Sequence, residues 1–145
     1  MELFEALQKK DVPALKILSK RTDAKTRAAL LLLPDLYGGA DVLEFAQKKL
    51  PPLPELKRAL ETLRALAKAS RIPVSIDLAE LRGYHYHSGV VFDAYCDGGA
   101  GGASILIARG GRYDEVGKAF GRPRAATGFS IELRSLASSI KTKRK

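Results

Sequence analysis

Residue types that support disulfide and metal chemistry are scarce in this sequence. Cys96 is the only cysteine, so a disulfide framework within one chain is impossible and a reducing cytoplasm is the expected location. Its thiol lies in an apolar stretch, where a free cysteine packs as a small hydrophobic side chain rather than acting as a nucleophile. His85 and His87 are the only histidines, and zinc needs more protein ligands than these two supply. We therefore predict no metal site.

Long apolar runs are also missing. No segment approaches the roughly 18 consecutive apolar residues that a bilayer-spanning helix needs, so we expect no membrane partner. Met1 is followed by Glu2 and Glu5 rather than by a positive and then an apolar region, and no secretory signal is expected. Hydrophobic residues nevertheless make up 46% of the 145 residues. This content permits a packed core, in one compact domain or in a piece of a larger one.

Positive charge is abundant but unevenly placed. The formal net charge is +9, which is typical of chains that bind nucleic acid. Residues 1–75 contribute +5, residues 76–140 are neutral, and residues 141–145 contribute +4. Because the neutral part holds the unusual motifs, we expect no groove for a phosphate backbone there. We expect no nucleic-acid partner, and an RNA-binding module is kept as an alternative class.

Residues 1–71 show the periodicity of short helices. Asp11 and Asp23 stand where helix N-caps are expected, and Pro34 ends one segment. The stretch "PDLYGGADV" is expected to be a turn. The longest segment, "LPELKRALETLRALAKAS", carries one apolar stripe made of Leu53, Leu56, Leu60, Leu63 and Ala67. Such a stripe is typical of helix packing, and a partner-docking face is the alternative.

After Pro73 the apolar period changes from helical to alternating. The stretches "VSIDLAEL", "SGVVFDAYC" and "SILIA" predict antiparallel strands, with the glycine-rich "DGGAGGAS" as a connecting loop. A short helix is predicted over Tyr113–Phe120 and a last helix from about Gly128. Helices followed by a β-rich part predict an α+β fold.

Two stretches combine residue types that bind ligands. In "RGYHYHSG", Arg82 supplies a guanidinium that can hold a carboxylate or a phosphate, and a surface salt bridge is its alternative. If this stretch is a strand, its two tyrosines share one face and its two histidines the other. In "RGGRYDEV", Gly110 and Gly111 permit a tight turn with Arg112 and Tyr113 at its lip. The residue types alone leave a ligand-binding corner and a plain turn equally open.

Three stretches together resemble a known family. "LRGYHYHSGVVFDAY" and "RGGRYDEV" resemble the two histidine-specific signatures of histidyl-tRNA synthetases, although His85, His87 and Glu115 depart from them. "ATGFSIELRSL" occupies the place of the third class II synthetase motif. There, Glu132 replaces the glycine that lets ATP approach, and Ser135 replaces the arginine that grips it. A carboxylate repels phosphate, and loss of the guanidinium leaves phosphate unclamped, so we expect no ATP-dependent activation of histidine.

This pattern resembles the synthetase paralogue, the ATP phosphoribosyltransferase regulatory subunit. The resemblance implies a chain that is not an enzyme, lacks aminoacylation activity and needs no cofactor. It implies a partner, the short-form catalytic subunit, in a hetero-octamer, with L-histidine as the feedback effector of the first step of histidine biosynthesis. The alternative is a fragment of a histidyl-tRNA synthetase.

The resemblance also implies a domain organisation. Residues 1–71 correspond to an inserted helical region, residues 72–140 to the C-terminal part of a class II synthetase-like antiparallel β core, and residues 141–145 to a basic tail. The first two class II motifs are not visible, so the chain is expected to lack the N-terminal half of such a core. It is therefore expected to expose sheet edge and apolar surface and to self-associate.

Candidate site residues follow from matching positions in the signatures. The candidates for a histidine pocket are Arg82, Tyr86, His87, Arg112 and Tyr113. The signature backbone positions are Gly83, Gly110 and Gly111.

Overall fold

The computed structural model describes residues 2–97 and 102–142, which divide into two compact units. The first unit comprises Met1–Arg82 and the second comprises Gly83–Lys145. Helices dominate the first unit and an antiparallel sheet dominates the second. The predicted α+β class is therefore confirmed.

The first unit consists of helices with one short β-ladder. Its elements in chain order are α1 Glu2–Gln8, α2 Val12–Leu18, α3 Ala24–Leu32, β1 Tyr37–Gly38, α4 Val42–Lys49, α5 Pro54–Ala69 and β2 Ile76–Asp77. Short 3-10 turns follow α2 and α3, at Ser19–Arg21 and Leu33–Asp35. The helices that the periodicity predicts are present.

Two aspartates start helices as their positions predict. The Asp11 carboxylate accepts a hydrogen bond from the backbone N–H of Ala14 at 3.0 Å, at the start of α2. The Asp23 carboxylate accepts from the backbone N–H groups of Lys25 and Thr26 at 2.9 and 3.0 Å, at the start of α3. Each carboxylate satisfies N–H groups that the first helical turn leaves without a partner. Both predicted caps are confirmed.

Apolar side chains form two buried clusters in the first unit. The larger cluster contains Leu36, Val42, Leu43, Ala46, Leu50, Leu60 and Ile76. The smaller cluster contains Ala6, Leu7, Leu15 and Ala79. From the predicted stripe of α5, Leu56, Leu60 and Leu63 pack into the larger cluster. Leu53 does not, because it precedes the helix at the N-cap position and is 51% exposed.

The short ladder of the first unit corrects two predictions. The strand expected over "VSIDLAEL" is limited to Ile76–Asp77, and the expected turn "PDLYGGADV" contains its partner, Tyr37–Gly38. Because the strands pair over two residues each, the longer apolar alternation overstated the strand. The Lys10 ammonium forms an ion pair with Asp77 at 2.7 Å and lies over the Tyr37 ring, so it contacts both strands.

The second unit contains an antiparallel sheet in the order β3-β4-β5. Its elements are β3 Val91–Cys96, β4 Ile105–Arg112, a 3-10 turn at Val116–Phe120, β5 Thr127–Ile131 and α6 Leu133–Thr142. The register places Gly111 opposite Gly128. It places Gly110 opposite both Phe92 and Phe129. Directly opposed residues share a face and successive residues alternate, so the sheet has a Gly111 face and a Phe92 face.

Strand β4 corrects the expected turn at Gly110 and Gly111. Both glycines lie inside the strand, which continues to Arg112. A Cβ at Gly110 would overlap the Gly128 carbonyl oxygen, and one at Gly111 would lie 2.7 Å from His87 Nδ1. Close approach of neighbouring groups, rather than a turn, therefore explains why these positions are glycine.

Three further boundaries differ from the predictions. The stretch "RGYHYHSG" forms turns instead of a strand, so its side chains do not alternate between two faces. The last helix begins at Leu133 rather than near Gly128, because Thr127–Ile131 pairs with β4 as a strand. The short helix expected from Tyr113 is a 3-10 turn that begins at Val116.

Other parts of the expected organisation stay predictions. The "DGGAGGAS" loop and the basic tail both include residues outside the described ranges. The domain boundary after residue 71 also stays a prediction, and the compact units divide after Arg82. Within residues 2–97 and 102–142, no helix has the length and apolar content to cross a bilayer.

Candidate functional site

A tight turn at the start of the second unit positions His87. The Gly83 carbonyl accepts hydrogen bonds from the backbone N–H groups of Tyr86 and His87, both at 2.8 Å. Gly83 has a φ of 68°, a left-handed conformation that glycine adopts without strain. A Cβ there would lie 2.7 Å from His87 Cδ2. Gly83 therefore provides both the backbone conformation and the room for the imidazole ring.

Backbone hydrogen bonds attach this turn to the end of β4. The Ser88 N–H donates to the Arg112 carbonyl at 2.9 Å, and the Arg112 N–H donates to the Val90 carbonyl at 3.0 Å. The Arg112–Val90 bond continues the antiparallel β3–β4 ladder beyond the strand itself, and the Ser88–Arg112 bond attaches the turn to it. It brings the two stretches that resemble the histidine-specific signatures side by side.

Three rings form a cluster on the Gly111 face of the sheet. The Tyr86 and Tyr113 ring centroids are 5.3 Å apart with an interplanar angle of 31°, and the Tyr86 and His87 centroids are 5.1 Å apart with nearly perpendicular planes. A Cβ at Gly111 would meet His87, and a Cβ at Gly128 would overlap the Tyr113 hydroxyl. Because the two glycines are opposed in the register, both rings lie over the same face. Tyr86, His87 and Tyr113 form what we call the ring cluster, in which His87 lies against Gly111 and Tyr113 against Gly128.

The imidazole of the ring cluster carries an unsatisfied polar atom. His87 Nδ1 is buried and has no hydrogen-bond partner among the described residues. A buried polar atom without a partner costs free energy, which a hydrogen-bonding group of a ligand can recover. Because Nδ1 faces Gly111, where an added Cβ would lie 2.7 Å away, the ring cluster offers a ligand mainly its aromatic surface.

Asp114 connects three segments around the ring cluster. Its carboxylate accepts two hydrogen bonds from Arg112 Nε, at 2.8 and 3.0 Å, and one from the Ala126 N–H at 3.1 Å. Its own N–H donates to Ser88 Oγ at 2.8 Å. Burial raises the pKa of the Asp114 carboxyl, but hydrogen bonds from Arg112 and Ala126, the Arg112 charge and Ser88 outweigh it, so the pKa lies below its ordinary value. The carboxylate therefore stays ionised and braces strand β4 against the segment before β5.

The structure brings together some of the predicted pocket residues and not others. Tyr86, His87 and Tyr113 are neighbours, and Gly111 lies beneath His87. The Arg112 guanidinium is instead engaged with Asp114, so its contact with the ring cluster is indirect.

Arg82 is the last residue of the first unit. Its guanidinium forms an ion pair with Glu80 at 2.7 Å, and its backbone N–H donates to the same carboxylate at 2.8 Å. The side-chain hydrogen bond from Arg82 is the largest of the influences that place the pKa of Glu80 below its ordinary value. A salt bridge, which was the alternative for Arg82 from the residue types, is present.

Sequence reasoning missed the roles of Asp114 and Gly128. The i, i+2 spacing of Arg112 and Asp114 was a usable signal, because on extended backbone such residues point to the same side. The role of Gly128 had no comparable signal, since it depends on the Tyr113 hydroxyl, which arrives from another segment.

The two positions predicted to have lost ATP-binding residues lie at the junction of β5 and α6. The backbone N–H of Glu132 donates to the Ile107 carbonyl at 2.9 Å, and Ser135 lies in the first turn of α6. His85 packs edge-on against Tyr84, with centroids 5.4 Å apart. No group of three or more His, Cys, Asp or Glu side chains that could hold a metal ion occurs within the described part of the chain.

Comparison with known proteins gives one consistent family. The family model described as histidyl-tRNA synthetase matches residues 1–136. The ATP phosphoribosyltransferase regulatory subunit of Azoarcus sp. is 56% identical over 137 residues, which cover 94% of this chain and 35% of that protein. The regulatory subunit of Burkholderia multivorans is 57% identical over 136 residues, with 93% and 35% covered.

A solved structure agrees with the sequence relatives. It is described as an ATP phosphoribosyltransferase regulatory subunit/histidyl-tRNA synthetase from Bacillus halodurans, with a TM-score of 0.68 and 28% identity over 93% of this chain and 37% of that chain. The chain thus spans about 35% of the length of the curated relatives that it matches. The resemblance drawn from the three motifs and the expected class II synthetase-like fold are both confirmed by these similarities.

Proposed function

We propose a function from one premise: this chain belongs to the histidyl-tRNA synthetase family. Within that family, relatives at 56–57% identity are named ATP phosphoribosyltransferase regulatory subunits. We propose that the chain is part of such a regulatory subunit, which has no aminoacylation activity and supports a separate catalytic subunit in the first step of histidine biosynthesis. We further propose that the protein is located in the cytoplasm.

The ring cluster is the observation that carries the ligand part of the proposal. Two tyrosine rings and one imidazole, on the sheet face of Gly111 and Gly128, form a surface that suits the flat, polar ring of a ligand. L-histidine, the proposed feedback effector, has a ring of this kind, and we assign its imidazole to the ring cluster, with Tyr86 and Tyr113 as the contacting side chains.

Two substitutions support the absence of ATP chemistry. Glu132 places a carboxylate, and Ser135 a neutral hydroxyl, where a class II synthetase needs a glycine and an arginine. A negative side chain and a missing guanidinium both disfavour a triphosphate. The competing function is that of a histidyl-tRNA synthetase fragment. The Bacillus halodurans structure supports it as an alternative, because its description names both a regulatory subunit and a histidyl-tRNA synthetase.

The partners on this proposal are the short-form catalytic subunit, in a hetero-octamer, and further copies of the chain. Exposed apolar side chains on the Phe92 face support self-association: Phe92, Phe129 and Ile131 are all at least 45% exposed. Contiguous apolar surface of this kind favours association. Sedimentation should show a concentration-dependent oligomer, and a monomer that binds no apolar dye at any concentration would contradict self-association.

A segment exchange tests the regulatory function. This chain replaces the matching 137-residue segment of the Azoarcus regulatory subunit, and the chimera is mixed with the Azoarcus catalytic subunit. We expect the chimera to raise phosphoribosyltransferase activity and to make it sensitive to L-histidine, with the unmodified Azoarcus regulatory subunit measured alongside as the reference. A chimera that folds and fails to raise activity would contradict the proposal.

Two variants of the chimera test the assigned ligand and the competing function. Tyr86→Ala with Tyr113→Ala should weaken inhibition by L-histidine by about tenfold or more, because it removes the aromatic surface, while stimulation of the catalytic subunit persists. Tyr37→Ala, in the first unit, is the matched control and should leave inhibition unchanged. Histidine-dependent pyrophosphate exchange by the unmodified chimera would instead favour the synthetase function.

A further inference from the structure

An open cleft lies beside the ring cluster in the second unit. Its volume is about 460 Å³, and its lining includes Tyr113, Gly117, Gly121, Arg122, Arg124 and Ala126. Tyr113 belongs both to this cleft and to the ring cluster. The cleft therefore begins where the aromatic surface ends.

Backbone contacts hold the wall that carries Arg122. The Arg122 N–H donates to the Gly117 carbonyl at 3.1 Å. A Cβ at Gly117 would overlap the Arg122 carbonyl oxygen, so the two backbones are in close contact. Gly121, with a φ of 94°, makes the reversal that returns the chain to this contact. Arg122 is thus presented from a defined backbone position.

The hydrogen bonds of Asp114 to Arg112, Ser88 and Ala126, which we call the Asp114 brace, hold the opposite end of the cleft. The Tyr113 N–H donates to the Ala126 carbonyl at 2.9 Å, and the Ala126 N–H donates to the Asp114 carboxylate at 3.1 Å. Arg124 stands two residues before Ala126 along the chain. Both arginines are therefore carried by a segment whose two ends are hydrogen-bonded to the body of the unit.

The charge of the cleft is positive and uncompensated by its lining. Arg122 and Arg124 are its two charged side chains. Of the acidic side chains nearest in sequence, Asp114 pairs with Arg112 and Glu115 with Lys118, and Glu132 is not part of the lining. Across residues 2–97 and 102–142, no ion pair joins Arg122 or Arg124 to a carboxylate.

We infer that this cleft binds the oxyanion of a small ligand, a carboxylate or a phosphate, between Arg122 and Arg124. Guanidinium groups bind both anions through charge-assisted hydrogen bonds, and a concave site strengthens the attraction relative to a flat surface. The inference stands on the cleft itself, and the proposed function adds one candidate source of the anion, the carboxylate of L-histidine. Phosphate of a phosphorylated substrate is the other source.

Four probes and one pair of variants test this inference on the 145-residue chain. Backbone amide NMR signals are followed during titration with L-histidine, histidinol, inorganic phosphate and pyrophosphate. Histidinol retains the imidazole ring and the amine but carries an alcohol in place of the carboxylate. The R122Q/R124Q variant removes both cations, and R21Q/R71Q removes the same charge from exposed positions of the first unit. Wild-type titrations are repeated at high salt, so that one readout does not depend on any variant.

We expect at least one anion to bind saturably with shifts centred on residues 121–126. Affinity should fall at least about tenfold in R122Q/R124Q, and with added salt, but not in R21Q/R71Q. Stronger binding of L-histidine than of histidinol identifies the carboxylate as the anion. Saturable binding of phosphate or pyrophosphate without any binding of L-histidine supports the cleft and contradicts the effector assignment.

Two results would overturn the inference. One is the absence of saturable shifts at residues 121–126 with every anion up to about 10 mM. The other is equal binding of L-histidine and histidinol that R122Q/R124Q leaves unchanged, with no binding of phosphate or pyrophosphate. This second result would support the ring cluster as the effector site and remove the oxyanion from the cleft, so the two proposals can fail separately.

Discussion

The two compact units of this chain differ in the interactions that stabilise each of them internally. Every apolar side chain in the buried core belongs to the first unit, where two clusters join the helices. Among residues 83–97, 102–118 and 121–139 of the second unit, Gly111 is the one buried residue. The second unit depends instead on its backbone ladder, on close contacts at glycine and on the Asp114 brace.

This difference separates stability from ligand chemistry. A core of apolar side chains gives the first unit its free energy of folding, because burial removes apolar surface from water. The second unit leaves aromatic and charged side chains exposed to solvent around the ring cluster and the cleft, where they can contact ligands. Ligand-binding elements are commonly drawn from the less stable parts of a protein. The comparison predicts that the two units respond to different kinds of substitution.

The largest expected effect is loss of a core side chain in the first unit. Leu43 is 0% exposed, and Leu43→Ala should lower the free energy of unfolding by about 2–5 kcal/mol because it leaves a cavity. Leu133→Ala, at a 72% exposed position of the second unit, is the control and should change it by less than about 0.5 kcal/mol. Urea unfolding measures both. Equal losses in the two variants would remove the contrast between the units.

A smaller effect is expected from adding a methyl group to the sheet of the second unit. Gly110→Ala places a Cβ against the Gly128 carbonyl, which is backbone and cannot rotate away, so we expect a loss of about 1–3 kcal/mol. Gly89→Ala is the milder control, because the three atoms nearest its Cβ, at 3.1–3.6 Å, belong to the Arg112 side chain rather than to backbone. Amide hydrogen exchange in β4 and β5 would report the change. Similar exchange rates in both variants would contradict the role of close backbone contact.

A still smaller loss of unfolding free energy is expected when a helix cap of the first unit is removed. Asp11 accepts a hydrogen bond from the Ala14 N–H, and Asp11→Ala should cost about 0.5–2 kcal/mol. Asp41 occupies the N-cap position of α4 without a side-chain cap bond, so Asp41→Ala should cost less. Thermal unfolding of the two variants tests the ordering, and a larger cost for Asp41→Ala would contradict it.

The smallest expected effect is the pH dependence that Asp114 contributes in the second unit. The folded-state pKa of Asp114 lies below its ordinary value, so the unfolded chain binds the proton more readily. Stability from this carboxylate is therefore complete above the ordinary value of 3.8 and is lost as the pH falls through the folded pKa. Carboxyl NMR titration of Asp114 should show the low pKa directly, and Arg112→Gln should raise it. An unchanged Asp114 pKa in Arg112→Gln would show that the guanidinium does not hold the carboxylate.

The sequence predicted those features that depend on local signals. The caps at Asp11 and Asp23 and the stripe of α5 follow from residues within one or two helical turns, and the structure confirms them. The motifs likewise led to the correct family, because they were judged together and in order.

Features that depend on distant segments were missed. Gly110 and Gly111 suggested a turn, yet the groups that require glycine there come from β5 and from His87. Phe129 falls within the helix predicted from about Gly128, whereas pairing with β4 makes it part of a strand. In each instance tertiary pairing outweighed the local pattern, which is the usual limit of single-sequence reasoning.

Ring-labelled tyrosine NMR during titration with L-histidine tests the central claim that the second unit holds the ligand. Tyr86 and Tyr113 are in the ring cluster. Tyr37 lies in the first unit, where the Lys10 ammonium lies over its ring. We predict saturable shifts of the Tyr86 and Tyr113 ring signals, with no shift of the Tyr37 signal and no requirement for ATP. Unchanged Tyr86 and Tyr113 signals at saturating L-histidine, or shifts that appear only when ATP is added, would contradict the account.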